Sequence, residues 1–335
     1  MVGKKILKTL FIIVILVVIV IGGFSLYYGL KPAPLPEEME WGVTFAPKYC
    51  RELGLQNWQE VYLAALDELG FRKFRLIAYW DEIEKEEGKL DFSELDFQIK
   101  EAEKRNATII LAVGRKLPRW PECFVPAWMA HYPEKEVQRR FLGFLPKVIE
   151  RYKNHESIAF WQIENEFFFK YFGECPLPNE RFLEQEIEVV RSIDPSRKII
   201  LTDSGELSSW VPTARRADIL GTSLYKTVWN KYTGYVHYKI PATFYRLKTV
   251  FIKLWVEDVF VSEMQAEPWG PKVTYEISIE EQKKSMNPEA LREIVDFTRR
   301  SGFKNVYMWG IEWWYWLKEQ GDDSMWETVK EITNP

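Results

Sequence analysis

The sequence predicts an α/β fold, a (β/α)8 TIM barrel that is preceded by one N-terminal transmembrane helix. Short runs rich in β-branched and aromatic residues recur along residues 41–335, and amphipathic stretches lie between them. Residues 9–30 carry no charged side chain. Eight alternations of strand and helix favour a closed parallel barrel over a doubly wound sheet.

The N-terminal uncharged stretch would be about 33 Å long as a helix, enough to cross a bilayer core of about 30 Å. Lys4, Lys5 and Lys8 precede it, so the positive-inside rule leaves residues 1–8 in the cytoplasm and exports the rest. We expect a signal anchor over 9–30 that holds the protein in the membrane. The alternative is a cleaved signal peptide and a secreted domain.

The domain after the anchor begins with a proline- and glutamate-containing segment, and we expect 31–40 to be an extended linker. Helical spacing of apolar residues predicts five of the barrel helices, and runs of β-type residues predict the strands. The predicted helices are 58–69, 93–104, 134–152, 180–193 and 288–300. The predicted strands are 41–46, 73–79, 108–114, 158–164, 198–202, 219–223, 258–262 and 305–309.

The loops differ between the two ends of the predicted barrel. Gly70 and Gly302 each follow a predicted helix and precede a strand almost directly, which is typical of a left-handed C-cap and a short connection. The segments after strand ends are long and rich in aromatic residues, as in 115–132, 167–178 and 225–245. Long loops at the carboxyl ends of the strands are where barrel enzymes carry their sites.

The composition excludes several classes of partner and cofactor. A net charge of −4 without a basic stripe argues against nucleic-acid binding. The 3 histidines are scattered without ligand spacing, so we expect no metal ion and no other cofactor. The 15 tryptophans suit a cleft in which sugar rings stack on indoles, although most must lie in the core. The oligomeric state stays open.

The cysteines suggest one disulfide. Cys123 and Cys175 fall in loops after neighbouring predicted strands, and an exported protein could join them. The alternative is three unreactive thiols, with Cys50 as the third.

Two predicted strands end in glutamates. The strand 158–164 runs into Asn165 and Glu166, and the strand 258–262 runs into Glu263. Because parallel barrel strands deliver their carboxyl ends to one face, Glu166 and Glu263 can flank one bound bond. Cleavage of a glycosidic bond needs one carboxylic acid and one carboxylate. Either glutamate alone is more often an ordinary strand end, but the pair indicates glycoside hydrolysis.

The segment 152–166 resembles the strand-four motif of the clan A glycoside hydrolases, the retaining (β/α)8 group that includes cellulase-like family 5 enzymes, family 39 and family 42 β-galactosidases. The resemblance covers residues 41–335. It implies that Glu166 is the acid/base, that Asn165 hydrogen-bonds the sugar 2-hydroxyl, and that Glu263 is the nucleophile of a double displacement.

The same resemblance implies supporting roles for residues at other strand ends. Arg75 would lie near the nucleophile, Tyr225 would hydrogen-bond it, and Trp309 would form the floor of the sugar subsite. Trp120 and Glu312 are the preferred further substrate contacts. Without the resemblance, these residues have ordinary interpretations as a barrel salt bridge, rim residues or core side chains.

Alternatives remain within the site and for its activity. Glu164 competes with Glu166 as acid/base, and Glu267 competes with Glu263 as nucleophile. Arg115 stands where cellulase-like enzymes often have histidine, and Asp203 stands where they often have histidine or an aromatic residue. These departures leave the identity of the sugar open. The expected activity is a retaining β-glycoside hydrolase that acts on an extracytoplasmic oligo- or polysaccharide. The alternatives are a transglycosylase, a non-catalytic carbohydrate-binding barrel and a metal-dependent barrel hydrolase.

Overall fold

The computed structural model describes residues 2–30 and 36–333, with side chains described over 8–24 and 36–333. The strands in these residues are β1 (Glu40–Thr44), β2 (Lys73–Ile77), β3 (Thr108–Val113), β4 (Ile158–Ile163), β5 (Ile199–Asp203), β6 (Ile219–Leu224), β7 (Thr227–Asn230), β8 (Gly234–His237), β9 (Asp258–Gln265) and β10 (Asn305–Trp309). Eight of them are parallel and form a closed barrel in the order β1-β10-β9-β6-β5-β4-β3-β2, which confirms the predicted barrel, while β7 and β8 form a separate antiparallel pair.

The helices alternate with these strands along the chain. They are α1 (Val2–Leu30), α2 (Pro47–Glu52), α3 (Trp58–Asp67), α4 (Trp80–Ile83), α5 (Ser93–Glu103), α6 (Glu134–Tyr152), α7 (Glu180–Ile193), α8 (Val211–Ala214), α9 (Ala242–Ile252), α10 (Ile279–Gln282), α11 (Pro288–Arg300), α12 (Ile311–Glu319) and α13 (Ser324–Thr333). Two short 3₁₀ helices lie at Ala127–Met129 and Thr274–Glu276.

Three local features of the fold bear on the prediction. Gly70 and Gly302 have φ of 72° and 82°, the left-handed conformation expected of C-caps. The strand predicted to end at residue 262 continues as β9 to Gln265, so Glu263 lies within the barrel wall. The antiparallel hairpin β7–β8 was not predicted, and it occupies part of the long segment after β6.

The interior of the barrel changes character along its axis. Toward the amino ends of the strands it is apolar, with Ile110, Ile200, Ile219, Phe260 and Tyr307 in one buried cluster. Toward the carboxyl ends it is polar, and the fully buried side chains there include Arg75, Gln162 and Thr222. The polar end is therefore the end that carries the predicted site.

The N-terminal part of the fold prediction is wrong. In the described part of the chain, no helix combines the length and the apolar character that a membrane crossing needs. Side chains of α1 are described over 8–24. The other side chains of α1 and residues 31–35 of the predicted linker lie outside the described residues.

The predicted disulfide is confirmed. Cys123 and Cys175 are joined with an S–S distance of 2.06 Å, and their Cα atoms are 5.2 Å apart. The bond connects the segment after β3 with the segment after β4. Cys50 is a buried free thiol.

We expect a Cys123→Ala/Cys175→Ala variant to lose about 2–4 kcal/mol of unfolding free energy, because the bridge restricts the unfolded chain. Urea unfolding with and without a thiol reductant measures this. The reductant should destabilise the wild type and leave the double variant unchanged. Equal sensitivity of both proteins would contradict a disulfide in the folded protein.

Candidate active site

The predicted site residues converge at the carboxyl ends of the barrel strands. Arg75 lies in β2, Asn165 and Glu166 follow β4, and Glu263 lies in β9. All four side chains are buried: the exposed fraction is 0% for Arg75, 7% for Glu166 and 6% for Glu263. The structure thus brings together residues that are separated by up to 188 positions in sequence.

The Arg75 guanidinium connects three strands. Its Nη1 donates to Glu263 Oε1 at 2.6 Å, its Nη2 donates to Asn165 Oδ1 at 2.7 Å, and its Nε donates to Gln162 Oε1 at 2.7 Å. The planar fork of an arginine suits such a divergent set of acceptors. Glu263 is therefore held by an ion pair, and the amide of Asn165 is oriented by the same cation.

The turn after β4 is conformationally strained. Glu164 and Glu166 have φ of 56° and 41°, a region that costs a residue other than glycine about 1–3 kcal/mol. Hydrogen bonds hold the turn in place: the Glu166 amide donates to Thr202 Oγ1 at 2.9 Å, and Lys116 Nζ donates to the Glu166 carbonyl oxygen at 2.9 Å.

The side chain of Glu164, the rival acid/base, binds the backbone of the loop after β3. Its carboxylate accepts from the backbone amides of Arg115 at 3.0 Å and Lys116 at 2.5 Å. Gly114 leaves room for this crossing, since a Cβ there would lie 2.9 Å from the Glu164 carboxyl carbon. Burial and the nearby Glu164 raise the pKa of Glu186 in α7. The geometry therefore favours Glu166 over Glu164 as the acid/base.

The electrostatic environment of Glu166 favours the protonated form of its carboxyl group. Burial, then the negative charges of Glu263 and Glu122, raise its pKa well above 4.5, while Lys116 and a hydrogen bond with Ser223 act in the opposite direction. Ser223 in β6 is the register partner of Glu263 in β9. The two carboxyl groups therefore lie near each other, and the charge of Glu263 disfavours ionisation of Glu166.

Tyr225 begins an aromatic wall beside this pair. Burial, followed by the charges of Glu263, Glu267 and Glu166, raises the pKa of its hydroxyl. Its ring contacts Trp269 at 5.5 Å between centroids. The wall continues from Trp269 to Phe172 at 5.2 Å and from Phe172 to Trp120 at 5.6 Å. Trp120 is 49% exposed and offers an open surface.

Trp309, Glu267 and Glu312 meet around Arg119. Trp309 Nε1 and Arg119 Nη1 each donate to Glu267 Oε1 at 2.6 Å, and the guanidinium lies 4.1 Å from the Trp309 ring centroid. Glu312 is fully buried and accepts from Arg119 at 2.5 Å and from the Ala46 amide at 2.6 Å. Burial raises the pKa of Glu312 to about 7. Direct contact of Glu312 with a substrate is therefore not supported, because both of its oxygens already have partners.

The sequence reasoning missed several residues of the site: Lys116, Glu122, Gln162, Thr202 and Ser223. Gln162 and Thr202 lie in predicted strands with alternating orientation, and that alternation could have placed them inside the barrel. Glu122 and Lys116 belong to the long loop after β3, where no periodic pattern marks a contact. The roles assigned to the predicted residues stay predictions.

No protein-family model matches the sequence. Among solved structures, the chain is similar to a polyextremophilic β-galactosidase from Halorubrum lacusprofundi, with a TM-score of 0.61, 15% identity, and coverage of 88% of this chain and 57% of that one. It is also similar to a β-galactosidase from Bacillus circulans sp. alkalophilus, with a TM-score of 0.61, 14% identity, and coverage of 88% and 55%. A family GH5_18 protein from Streptomyces cattleya, solved with GlcNAc, gives a TM-score of 0.57, 13% identity, and coverage of 81% and 70%.

This chain shares the fold of these β-galactosidases and of the GH5_18 protein, which confirms the resemblance drawn from the sequence at the level of the fold. At such identities the likeness concerns the fold. A curated β-galactosidase from Clostridium perfringens is 30% identical over a 127-residue alignment that covers 31% of this chain and 17% of that protein. The chain thus spans less than two thirds of the length of these β-galactosidases.

Glu164→Ala and Glu166→Gln should affect stability in opposite directions. The first leaves two backbone amides without their acceptor, and because an unmade buried hydrogen bond costs about 1–3 kcal/mol, unfolding free energy should fall by about 2 kcal/mol or more. The second removes a carboxyl group whose charged form is disfavoured in the folded state. Urea unfolding of both variants at several pH values measures the contrast.

The direction of the stability change in Glu166→Gln follows from how the unfolding free energy of the wild type depends on pH. A folded pKa raised above 4.5 means that the wild type loses stability as pH rises from that value toward the folded pKa. The glutamine variant lacks this loss, so its relative stability should increase over the same range. A Glu166→Gln variant that is less stable than the wild type at every pH would contradict the electrostatic picture of the site.

Proposed function

We propose that this chain is a retaining β-glycoside hydrolase that acts on an extracytoplasmic oligo- or polysaccharide with Glu166 and Glu263 as its two catalytic residues. The observation that carries the proposal is the buried pair of carboxyl groups at the ends of β4 and β9. One of the pair is bound to Arg75 at 2.6 Å, and the other lies in an environment that raises its pKa. Glycoside cleavage needs this asymmetry of a carboxylate and a carboxylic acid.

The first half of the reaction uses each group once. Glu263 attacks the anomeric carbon and forms a glycosyl ester, and the bond from that carbon to the leaving oxygen breaks. Glu166 transfers its proton to the departing oxygen, so the aglycone leaves as a neutral alcohol. Arg75 orients the attacking carboxylate.

The second half reverses these roles. Glu166, now a carboxylate, takes a proton from water, and the water oxygen attacks the anomeric carbon of the glycosyl ester. Glu263 leaves as a carboxylate, and Glu166 is again protonated. Two displacements at one carbon retain the configuration of the sugar.

The substrate proposal rests on the walls of the cleft. The aromatic wall of Tyr225, Trp269, Phe172 and Trp120 leads outward from the two glutamates. Aromatic faces of this kind suit the apolar faces of sugar rings. Asn165, Trp309 and Trp120 are the proposed sugar contacts, with Asn165 facing the 2-hydroxyl. Because several of the similar proteins are β-galactosidases, β-galactosides are the first substrates to test.

The disulfide supports an extracytoplasmic location. Cys123–Cys175 joins two of the loops that surround the proposed cleft. Such bonds form and persist in oxidising compartments and are rare in the cytosol.

Glu263→Gln should abolish turnover of aryl β-glycosides, because an amide cannot form the glycosyl ester. Glu166→Ala should lose about 10²–10⁴-fold on substrates with poor leaving groups and much less on dinitrophenyl glycosides, which need no proton. Azide should restore the rate of Glu166→Ala and yield a β-glycosyl azide. The measurement is a screen of aryl β-glycosides with the full chain, followed by kcat/KM of each variant.

Glu289→Gln, at an exposed position of α11, is the control for the chemical change from glutamate to glutamine. It should keep the wild-type rate. Normal turnover by Glu263→Gln would refute the nucleophile assignment. A wild-type chain that cleaves no glycoside in the screen, and binds sugars without cleaving them, would favour the non-catalytic carbohydrate-binding barrel.

The pH profile should reflect the protonation of Glu166. Since the first step needs its acid form, activity should fall at high pH as Glu166 ionises, and burial together with Glu263 and Glu122 moves that fall to higher pH. We expect kcat/KM for a phenyl glycoside to show this basic limb in the wild type. For a dinitrophenyl glycoside, Glu166→Ala should lack it. Retention of the limb in that variant would assign it to another group.

A further inference from the structure

Glu122 is a third buried carboxyl group of the site, and the mechanism above does not use it. It lies in the loop after β3, next to Cys123 of the disulfide. Its exposed fraction is 4%, and its φ of 67° is in the left-handed region. A buried acidic side chain on a strained backbone needs compensating contacts to persist.

Its two oxygens have different surroundings. Oε1 accepts from Asn165 Nδ2 at 3.0 Å, whereas Oε2 forms an ion pair with Lys116 Nζ at 3.3 Å and no hydrogen bond within the described residues. Gly173 faces Oε2, because a Cβ at that glycine would lie 2.9 Å from it. The disulfide partner loop thus leaves space for this carboxyl group.

The orientation of the Asn165 amide is fixed by a donor on one side, Arg75, and an acceptor on the other, Glu122. Arg75 only donates, so the atom that faces its Nη2 at 2.7 Å must be the oxygen. With the oxygen fixed there, the amide nitrogen faces Glu122 and donates to its Oε1 at 3.0 Å. Thr202 Oγ1 also donates to Asn165 Oδ1 at 3.1 Å. One of the two N–H bonds of the amide is used by Glu122, and within the described residues no acceptor is found for the other.

We propose that Glu122, braced by Lys116, is a positioning residue that holds the Asn165 amide so that its second N–H binds the 2-hydroxyl of the sugar. This inference rests on the proposed function. Glu122 acts through Asn165. Contacts run from Lys116 to Glu122 and from Glu122 to Asn165, and so connect the loop after β3 with the proposed sugar position. Its effect on catalysis should therefore depend on the presence of a 2-hydroxyl.

Glu122 also affects Glu166 through its charge. The groups that face Glu166 are Glu263 from β9, Glu122 and Lys116 from the loop after β3, and Ser223 from β6. Both glutamates raise the pKa of Glu166, and Lys116 lowers it. Burial, together with the charge of Glu263, raises the pKa of Glu122 itself to about 7. Above that pH, loss of the Glu122 charge should lower the pKa of Glu166 and move the basic limb of the pH profile to lower pH.

The test compares Glu122→Ala and Glu122→Gln on a 4-nitrophenyl β-glycoside and its 2-deoxy counterpart, with the sugar that the wild type cleaves. Glu122→Ala releases the amide, so kcat/KM should fall about 10–100-fold on the 2-hydroxy substrate, the loss of one hydrogen bond to a charged group. On the 2-deoxy substrate the fall should be less than about threefold. Glu122→Gln keeps an acceptor and should retain the preference for the 2-hydroxyl, but with the basic limb at lower pH.

Glu174→Ala is the matched control, because Glu174 is exposed and lies in the opposite loop beside Cys175. It should change neither the substrate preference nor the pH profile. Equal losses of Glu122→Ala on both substrates, or a wild-type rate on both, would overturn the inference. So would a pH profile of Glu122→Gln that matches the wild type.

A crystal structure of Glu122→Ala separates this inference from the proposed function. The inference predicts that the Asn165 amide rotates or adopts two conformations while the Arg75–Glu263 ion pair stays. An unchanged amide would overturn it, whether or not the protein cleaves glycosides. Absence of turnover in the wild type would refute the proposed function and leave the crystallographic test to decide the role of Glu122.

Discussion

The site depends on the ion pair and the hydrogen bonds of the fully buried Arg75 guanidinium. A buried cation is tolerated only when charges and hydrogen bonds compensate it, and here Glu263 provides the charge while Asn165 and Gln162 provide neutral acceptors. Three strands are thereby tied to one group. Removal of any of these partners would leave part of the guanidinium unpaired, which costs stability and frees the other two side chains.

A second ring of loop contacts supports this centre. Lys116 donates to the backbone carbonyls of Glu166 and Phe169 and lies beside Glu122, so one ammonium group stabilises the strained turn and the third carboxyl group. The disulfide joins the loop that contains Glu122 to the loop after β4. Strained backbone at a site persists only where the surroundings determine it this fully. Preorganisation of this kind is what electrostatic catalysis requires.

The similarity to other barrels accounts for the scaffold and not for the specificity. The (β/α)8 fold serves many chemistries, and the site decides between them. In this chain the loops that border the cleft pack aromatic rings against each other, from Tyr225 to Trp120. Arg119 forms a separate buried cluster with Glu267 and Glu312 beside Trp309. These side chains lie on long loops and at the ends of strands, where sequence can change without loss of the barrel.

The sequence by itself determined the eight barrel strands and the glycine caps, because strand patterning and turn residues are local. It predicted that Glu166 and Glu263 converge, since a parallel barrel has one carboxyl end, and it suggested the disulfide with three free thiols as the alternative. The N-terminal membrane helix was inferred in the same local way and was wrong. Only the tertiary structure decided that Glu164 turns to the loop after β3, that Glu122 joins the site and that Glu312 is covered. Those outcomes depend on the backbone conformation of single residues and on partners that are distant in sequence. The local periodicity of the sequence carries no information about either.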